Sequence, residues 1–179
     1  MNKLEKSFKL PPRTAMEVFE MLPEGTLAEV INNIIYMSPA PSFPHQDVCT
    51  QLASLIRLHS SAENLGKCIA SPIDVYFDDK NVFQPDIIFI SNENMNIVKD
   101  EKVKGAPDLI VEVLSPGNKK HDTERKRPVY EKHGVKEFFI IDSRNKEVIT
   151  YYLMNNKFIK QETTAGKITS LLLKKSFSF

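Results

Sequence analysis

The stretch 106–115, APDLIVEVLS, constrains the fold more than any other part of the chain. It is an apolar run rich in β-branched residues, the composition of a central strand covered on both faces. Glu112 interrupts it. A carboxylate in such a strand is costly unless a cation, a metal or a hydrogen-bond donor meets it. A salt bridge to a nearby Arg or Lys would satisfy that demand, and so would a metal. A second run, 82–90 (VFQPDIIFI), also carries one acid, Asp86. If the two runs pair side by side, Asp86 and Glu112 come close. Two like charges in a dry place repel unless a cation lies between them. Hard oxygen ligands of this kind suit Mg²⁺ or a similar ion.

The length of 179 residues fits a single domain (1–179) with a real core. A net charge of +1 does not announce a nucleic-acid binder, nor does it exclude a local basic patch. Cys49 and Cys68 form neither a metal spacing nor a disulfide framework, and read as reduced core thiols. The N-terminus lacks the apolar core of a signal peptide, and no run reaches the roughly 18 apolar residues of a membrane span. The expectation is a cytoplasmic protein without a membrane partner.

Residues 1–13 are polar, end in Pro11-Pro12, and read as an extended arm. Thr14 and Glu17 form a capping-box pattern before a short helix that ends ahead of Pro23. Residues 27–31 and 34–38 flank Asn32-Asn33, a tight hairpin turn. Glu29 on its first strand reads by itself as an exposed acid. The prolines at 39, 41 and 44 mark a loop. Val48, Leu52, Leu55 and Ile56 then give the helical spacing of an amphipathic helix over 45–59, with His45 and Asp47 in its first turn. A His at a helix end is most often solvated or simply hydrogen-bonded. Ile69, Ile73, Val75 and Phe77 share one parity and predict a strand that forms an antiparallel hairpin with the Asp86 run. Pro85 cannot donate to a ladder, so an edge or a bulge is expected there.

In the central strand Asp108, Ile110, Glu112 and Leu114 fall on one face. The segment 119–133 is rich in Lys and Arg and ends at Gly134, a fitting helix stop. Asp122, Lys126 and Tyr130 are four apart and share one helical face. Pro128 predicts a kink, or a helix that starts only near Glu124. Taken alone, the charges of this segment read as a solvated face. Residues 136–142 and 147–153 make a hairpin, 157–162 adds a strand, and the tail LLLKKSFSF reads as a last edge strand. The whole is an α/β or α+β domain with a mixed central sheet flanked by helices.

An acid after proline (Pro85-Asp86), a strand Glu (Glu112) and a Lys on the next helix (Lys126) resemble the PD-(D/E)XK nuclease superfamily. The chain is more closely similar to the bacterial restriction-endonuclease-like family long catalogued as a domain of unknown function. The matching stretches are EVINN, MSPAPSFPH, QPDIIFI, GAPDLIVEVLSP, DTERKRPVYEKHGV and EFFIID, in that order. The resemblance implies a restriction-endonuclease-like core. It implies Asp86 and Glu112 as ligands of Mg²⁺ (or Mn²⁺), joined by the backbone carbonyl of Val113. Lys126 is implied as the charge-stabilising base or electrophile, and Glu29 and His45 as residues of the same cleft. Asp108, Asp122 and Tyr130 would be supporting groups. The superfamily pattern has Lys where this chain has Leu114, and the resemblance implies that Lys126 replaces it from the helix.

The implied chemistry is metal-assisted hydrolysis of phosphodiester bonds in DNA. Lys119, Lys120, Arg125 and Arg127 would meet phosphates, making binding salt-dependent. Cutting both strands usually takes two sites, which a homodimer supplies. Two other readings stand beside this one. The first is a non-catalytic module on the same fold that binds nucleic acid or a protein. The second is a buried ion-pair network of the acids with Lys126, without metal.

Overall fold

The computed structural model describes residues 11–114 and 121–179, and of residues 121–123 only the backbone. The expectations for 1–10, Lys119 and Lys120, and for the side chain of Asp122, lie outside the described residues.

Helix α1 (Ala15–Phe19) opens with Thr14, whose hydroxyl accepts the Glu17 N–H at 3.1 Å. It stops well short of Pro23. Strands β1 (Ala28–Ile31) and β2 (Ile34–Met37) form the expected hairpin. Asn32 and Asn33 take φ of 50° and 62°, the double positive-φ turn that matches strand twist. Helix α2 (Phe43–Ala62) starts two residues earlier than the spacing indicates, because Pro44 sits in its first turn, where no N–H is needed. Its Val48, Leu52 and Ile56 are buried as expected.

Strands β3 (Gly66–Ala70), β4 (Val75–Asp78), β5 (Asn81–Phe83) and β6 (Ile87–Ser91) follow. The predicted long hairpin exists, but it is split between two sheets. β4 pairs with β5, and β3 pairs with β6, both antiparallel. The run 82–90 is therefore not one strand. Gln84, Pro85 and Asp86 are the crossing between sheets, and this is how Pro85 avoids a ladder position. A short 3-10 segment (Asn92–Ile97) leads to β7 (Val98–Lys99) and β8 (Lys102–Lys104).

Strand β9 (Leu109–Leu114) is buried along its whole length. A π turn (His121–Lys126) runs into α3 (Arg127–His133), and β10 (Glu137–Asp142) returns parallel to β9. Pro128 lies in the first turn of α3, so it does not kink the helix. The wide turn precedes it. Gly134 closes α3 at φ 85°. Strands β11 (Glu147–Met154), β12 (Lys157–Lys160), β13 (Thr164–Ala165), β14 (Lys167–Ser170) and β15 (Lys175–Ser178) complete the chain. The tail is not an edge strand of the main sheet. β15 pairs with β14 in a separate two-stranded sheet.

The main sheet runs β12-β11-β10-β9-β6-β3, with β13 beside β11, and mixes parallel and antiparallel pairs. The second sheet runs β2-β1-β5-β4-β8-β7. One core joins α2 and the β14–β15 sheet to one face of β9 through Val111 and Val113. Another joins the second sheet and α3 to its other face through Ile110 and Leu114. A smaller core under α1 holds Phe19, Val30 and Val82. This is the mixed α+β architecture with β9 at its centre.

Asp108 lies just before β9 and is nearly fully buried. It accepts the Ser91 N–H at 2.8 Å, the Asn94 amide at 3.1 Å and the Lys136 ammonium at 2.7 Å. Burial would raise its pKa, but Lys136, Ser91 and Asn94 outweigh burial and hold the carboxyl below its ordinary 3.8. Its role is to tie β6, the 3-10 segment and β10 together. Asp108→Ala is expected to cost about 2–3 kcal/mol in urea denaturation near neutral pH. A depressed folded pKa gives stability that is present above the unfolded value and lost as pH falls through the folded one. The gap between parent and variant should therefore narrow below about pH 4.

Candidate functional site

Strand register sets the site. β6 and β9 pair Ile88 with Ile110 and Ile87 with Val111, so the next position brings Asp86 opposite Glu112. The crossing that carries Asp86 is pinned at several points. The Asp86 carbonyl accepts the Ser71 N–H at 2.9 Å. The Gln84 amide donates to the Thr26 carbonyl at 3.1 Å and to Asp74 at 2.8 Å. The Gln84 N–H donates to Glu29 Oε1 at 2.7 Å.

Asp86 Oδ2 accepts the Val113 N–H at 2.7 Å and faces His45 Nε2 at 3.2 Å. Its Oδ1 has no protein partner among the described residues. The two hydrogen bonds on Oδ2 fix the orientation of the carboxylate, and Asp86 lines the cleft. Burial pulls the His45 pKa down, but the hydrogen bond and charge of Asp86 pull it up further, and it ends above 6.5. Nδ1 of the same ring faces Gln46 Oε1 at 3.3 Å, so both nitrogens have an acceptor, as an imidazolium requires.

Glu112 is held from the opposite side of the strand pair. The Tyr130 hydroxyl donates to Oε1 at 2.5 Å, and Lys126 Nζ lies 3.0 Å from the same oxygen. Lys126 Nζ also lies 2.8 Å from Glu29 Oε1. Glu29 is thus no exposed strand acid. Its side chain is only 12% exposed and shares one ammonium with Glu112. The π turn lets Lys126 and Tyr130 both reach Glu112, with the Phe83 ring 5.9 Å from the ammonium.

These groups border one cleft of about 480 Å³, which Glu29, His45, Asp86, Glu112, Val113 and Lys126 all line. The sequence expectations that meet here are therefore those six. Tyr130 supports Glu112 from beneath. Asp108 does not join them, because its hydrogen bonds go to Ser91, Asn94 and Lys136. Arg125 stacks its guanidinium 4.9 Å from the centre of the Tyr36 ring, which lines the cleft, whereas Arg127 stacks on Tyr151 at 5.4 Å. Gln84 was not singled out from the sequence. Its work as an anchor depends on Asp74 and on two partners more than fifty residues away, Thr26 and Glu29, at separations of 58 and 55.

The donor set suits a hard divalent cation. Asp86 Oδ1 and the Glu112 carboxylate are oxygens, and the Val113 carbonyl leaves β9 on the same side as the N–H that meets Asp86. A softer set, His45, Cys49 and Asp86, also falls within 4.8 Å. It is the poorer set, because the thiol faces Nδ1 at 3.6 Å and the carboxylate faces Nε2 at 3.2 Å, so the two approach different nitrogens of the ring. Burial, reinforced by the charges of Asp86 and Glu112, pushes the Cys49 thiol far above its usual range. Both cysteines are buried and unbridged, as expected.

Removing the shared ammonium would leave Glu29 and Glu112 without it in a confined space. Lys126→Met is expected to lower stability by about 3–5 kcal/mol, and adding Glu29→Gln should return part of that loss. Urea denaturation of the single and double variants reads both effects.

No curated protein matches the chain. No helix among the described residues is long and apolar enough to cross a membrane. A solved structure described as "a putative nuclease belonging to DUF820", from Anabaena variabilis ATCC 29413, superimposes with a TM-score of 0.68. It is 23% identical and covers 86% of this chain and 83% of its own. At that identity the likeness establishes the fold alone, a mixed α+β architecture. A family model described as "Putative restriction endonuclease", Uma2, matches residues 15–178. The match spans nearly all of the sequence, and the chain belongs to the Uma2 family.

Proposed function

We propose that the protein is a divalent-metal-dependent endonuclease that hydrolyses phosphodiester bonds in DNA. The observation that carries this reading is the placement of Asp86, one residue before β6, opposite Glu112 of β9, both lining the cleft, with an ammonium beside Glu112. Asp86, Glu112 and the Val113 carbonyl would hold Mg²⁺ or Mn²⁺. When bound, such an ion polarises a phosphoryl oxygen and lowers the pKa of the attacking water.

The chain's own residues divide the remaining work. His45 and the Val113 N–H keep Asp86 in one orientation. Tyr130 keeps Glu112 in one orientation. Lys126, flanked by two carboxylates, serves as a fixed cation that offsets charge building on the phosphate. Arg125 and Arg127 lie on the segment that would meet flanking phosphates. Two copies of the cleft, as in a homodimer, would be needed to cut both strands of a duplex.

Plasmid and single-stranded DNA should be cleaved in Mg²⁺ or Mn²⁺ and not in EDTA. Glu112→Ala should lower the rate by at least about 100-fold. Absence of cleavage of either substrate in either metal would remove the nuclease reading.

The three-way contact of Lys126 with Glu29 and Glu112 also fits an ion-pair network that acts only in folding. Thermal melts of Asp86→Asn separate the two. A metal site predicts that Mg²⁺ raises the melting temperature of the parent and not that of Asp86→Asn. A purely structural network predicts that Mg²⁺ moves neither protein's melting temperature.

A further inference from the structure

One wall of the cleft differs in character from the acids and the lysine. Residues 37–44 read MSPAPSFP and are all exposed, and six of the eight are apolar. None is charged. Met37, Pro39 and Pro41 line the cleft directly. Phe43, in the first turn of α2, is 85% exposed, more than any other large hydrophobic among the described residues. It is bracketed by the cleft-lining Ser42 and His45, and shares a helix face with Gln46 three residues on, which also lines the cleft.

A single exposed apolar residue is ordinary. A continuous, uncharged wall beside a phosphodiester-cleaving centre is a different case, because it matches only part of a nucleic acid. Duplex DNA shows proteins its phosphates and groove edges, while its base faces are stacked on one another. An unpaired strand exposes those faces, and aromatic side chains take them up by stacking. Pro39, Pro41 and Pro44 fix φ along the wall, so little backbone freedom remains to be lost on binding. The guanidinium of Arg125 over the cleft-lining Tyr36 places a positive charge beside the same cleft, suited to the backbone of that strand.

We propose that residues 37–44 bind the unpaired bases next to the scissile phosphate, with Phe43 as the stacking platform, so that the substrate class is single-stranded or locally unpaired nucleic acid. This rests on the nuclease reading above and narrows it. It also removes the need for two clefts acting on a duplex.

The test is fluorescence anisotropy of the full-length protein with a labelled thymidine oligonucleotide and with a labelled duplex, in EDTA and in Ca²⁺. The parent should bind the single strand more tightly than the duplex. Phe43→Ala should weaken single-strand binding by about 5- to 150-fold, the span of one lost base stack, and Phe43→Trp should restore it. The melting temperature should not move, since Phe43 buries little surface. Equal affinities of parent and Phe43→Ala for the single strand would overturn the proposal. So would a parent that prefers the duplex or binds neither. A Phe43→Ala change confined to oligomeric state, read by light scattering, would also overturn it and assign the wall to contact between copies of the chain. Hydrolysis of bis(4-nitrophenyl) phosphate by the parent in Mn²⁺ checks the nuclease reading separately, because that diester carries no base.

Discussion

The pairing register of β6 against β9 is the constraint on which the site depends. Ile87 opposite Val111 leaves Asp86 opposite Glu112, and a slip of one residue would turn every side chain of β6 to the other face. The register is held by burial on both sides of β9, where Val111 and Val113 enter one core and Ile110 and Leu114 the other. The 84–86 crossing then frees Asp86 from ladder duty. Its carboxylate can accept the Val113 N–H, which a regular strand would have given to a backbone carbonyl. An interrupted strand is thus the source of both the acid's position and its orientation.

The second element is the ammonium of Lys126, shared between two carboxylates on different sheets. Desolvating three charges is expensive, and such networks often contribute little net stability compared with apolar residues. What this one supplies is placement. Glu29 belongs to β1 of the second sheet and Glu112 to β9 of the main sheet, and Lys126 ties them at 2.8 and 3.0 Å. The Gln84 N–H joins Glu29 to the crossing, so both sheets and the π turn hold the same few atoms. In this cleft the acids are held by several contacts each, whereas the lining along residues 37–42 is exposed.

Much of this was legible in the sequence, and the exceptions have physical causes. Period-2 and period-3.6 patterns located β1, β2, α2, β9, β10 and β11, since those signals are local. The turn at Asn32-Asn33 and the stop at Gly134 were readable from residues that tolerate positive φ. The split of 82–90 between two sheets was not readable, because an apolar run looks the same whichever sheet receives it. Glu29 looked like an exposed acid, since its partner Lys126 lies almost a hundred residues on. The resemblance, not the local pattern, placed it at the cleft. Asp108 misled by parity. It shares a face with Glu112 in an ideal strand, but it precedes β9 and turns to Ser91, Asn94 and Lys136. The π turn was visible only as a conflict between a helical spacing and Pro128.

The most direct test of the account is isothermal calorimetry of Mn²⁺ binding to the parent protein and to Asp86→Asn. Saturable binding to the parent is expected, and its loss when Asp86 is neutralised while the fold, read by circular dichroism, is kept. Binding of equal strength to both proteins, or to neither, would contradict it.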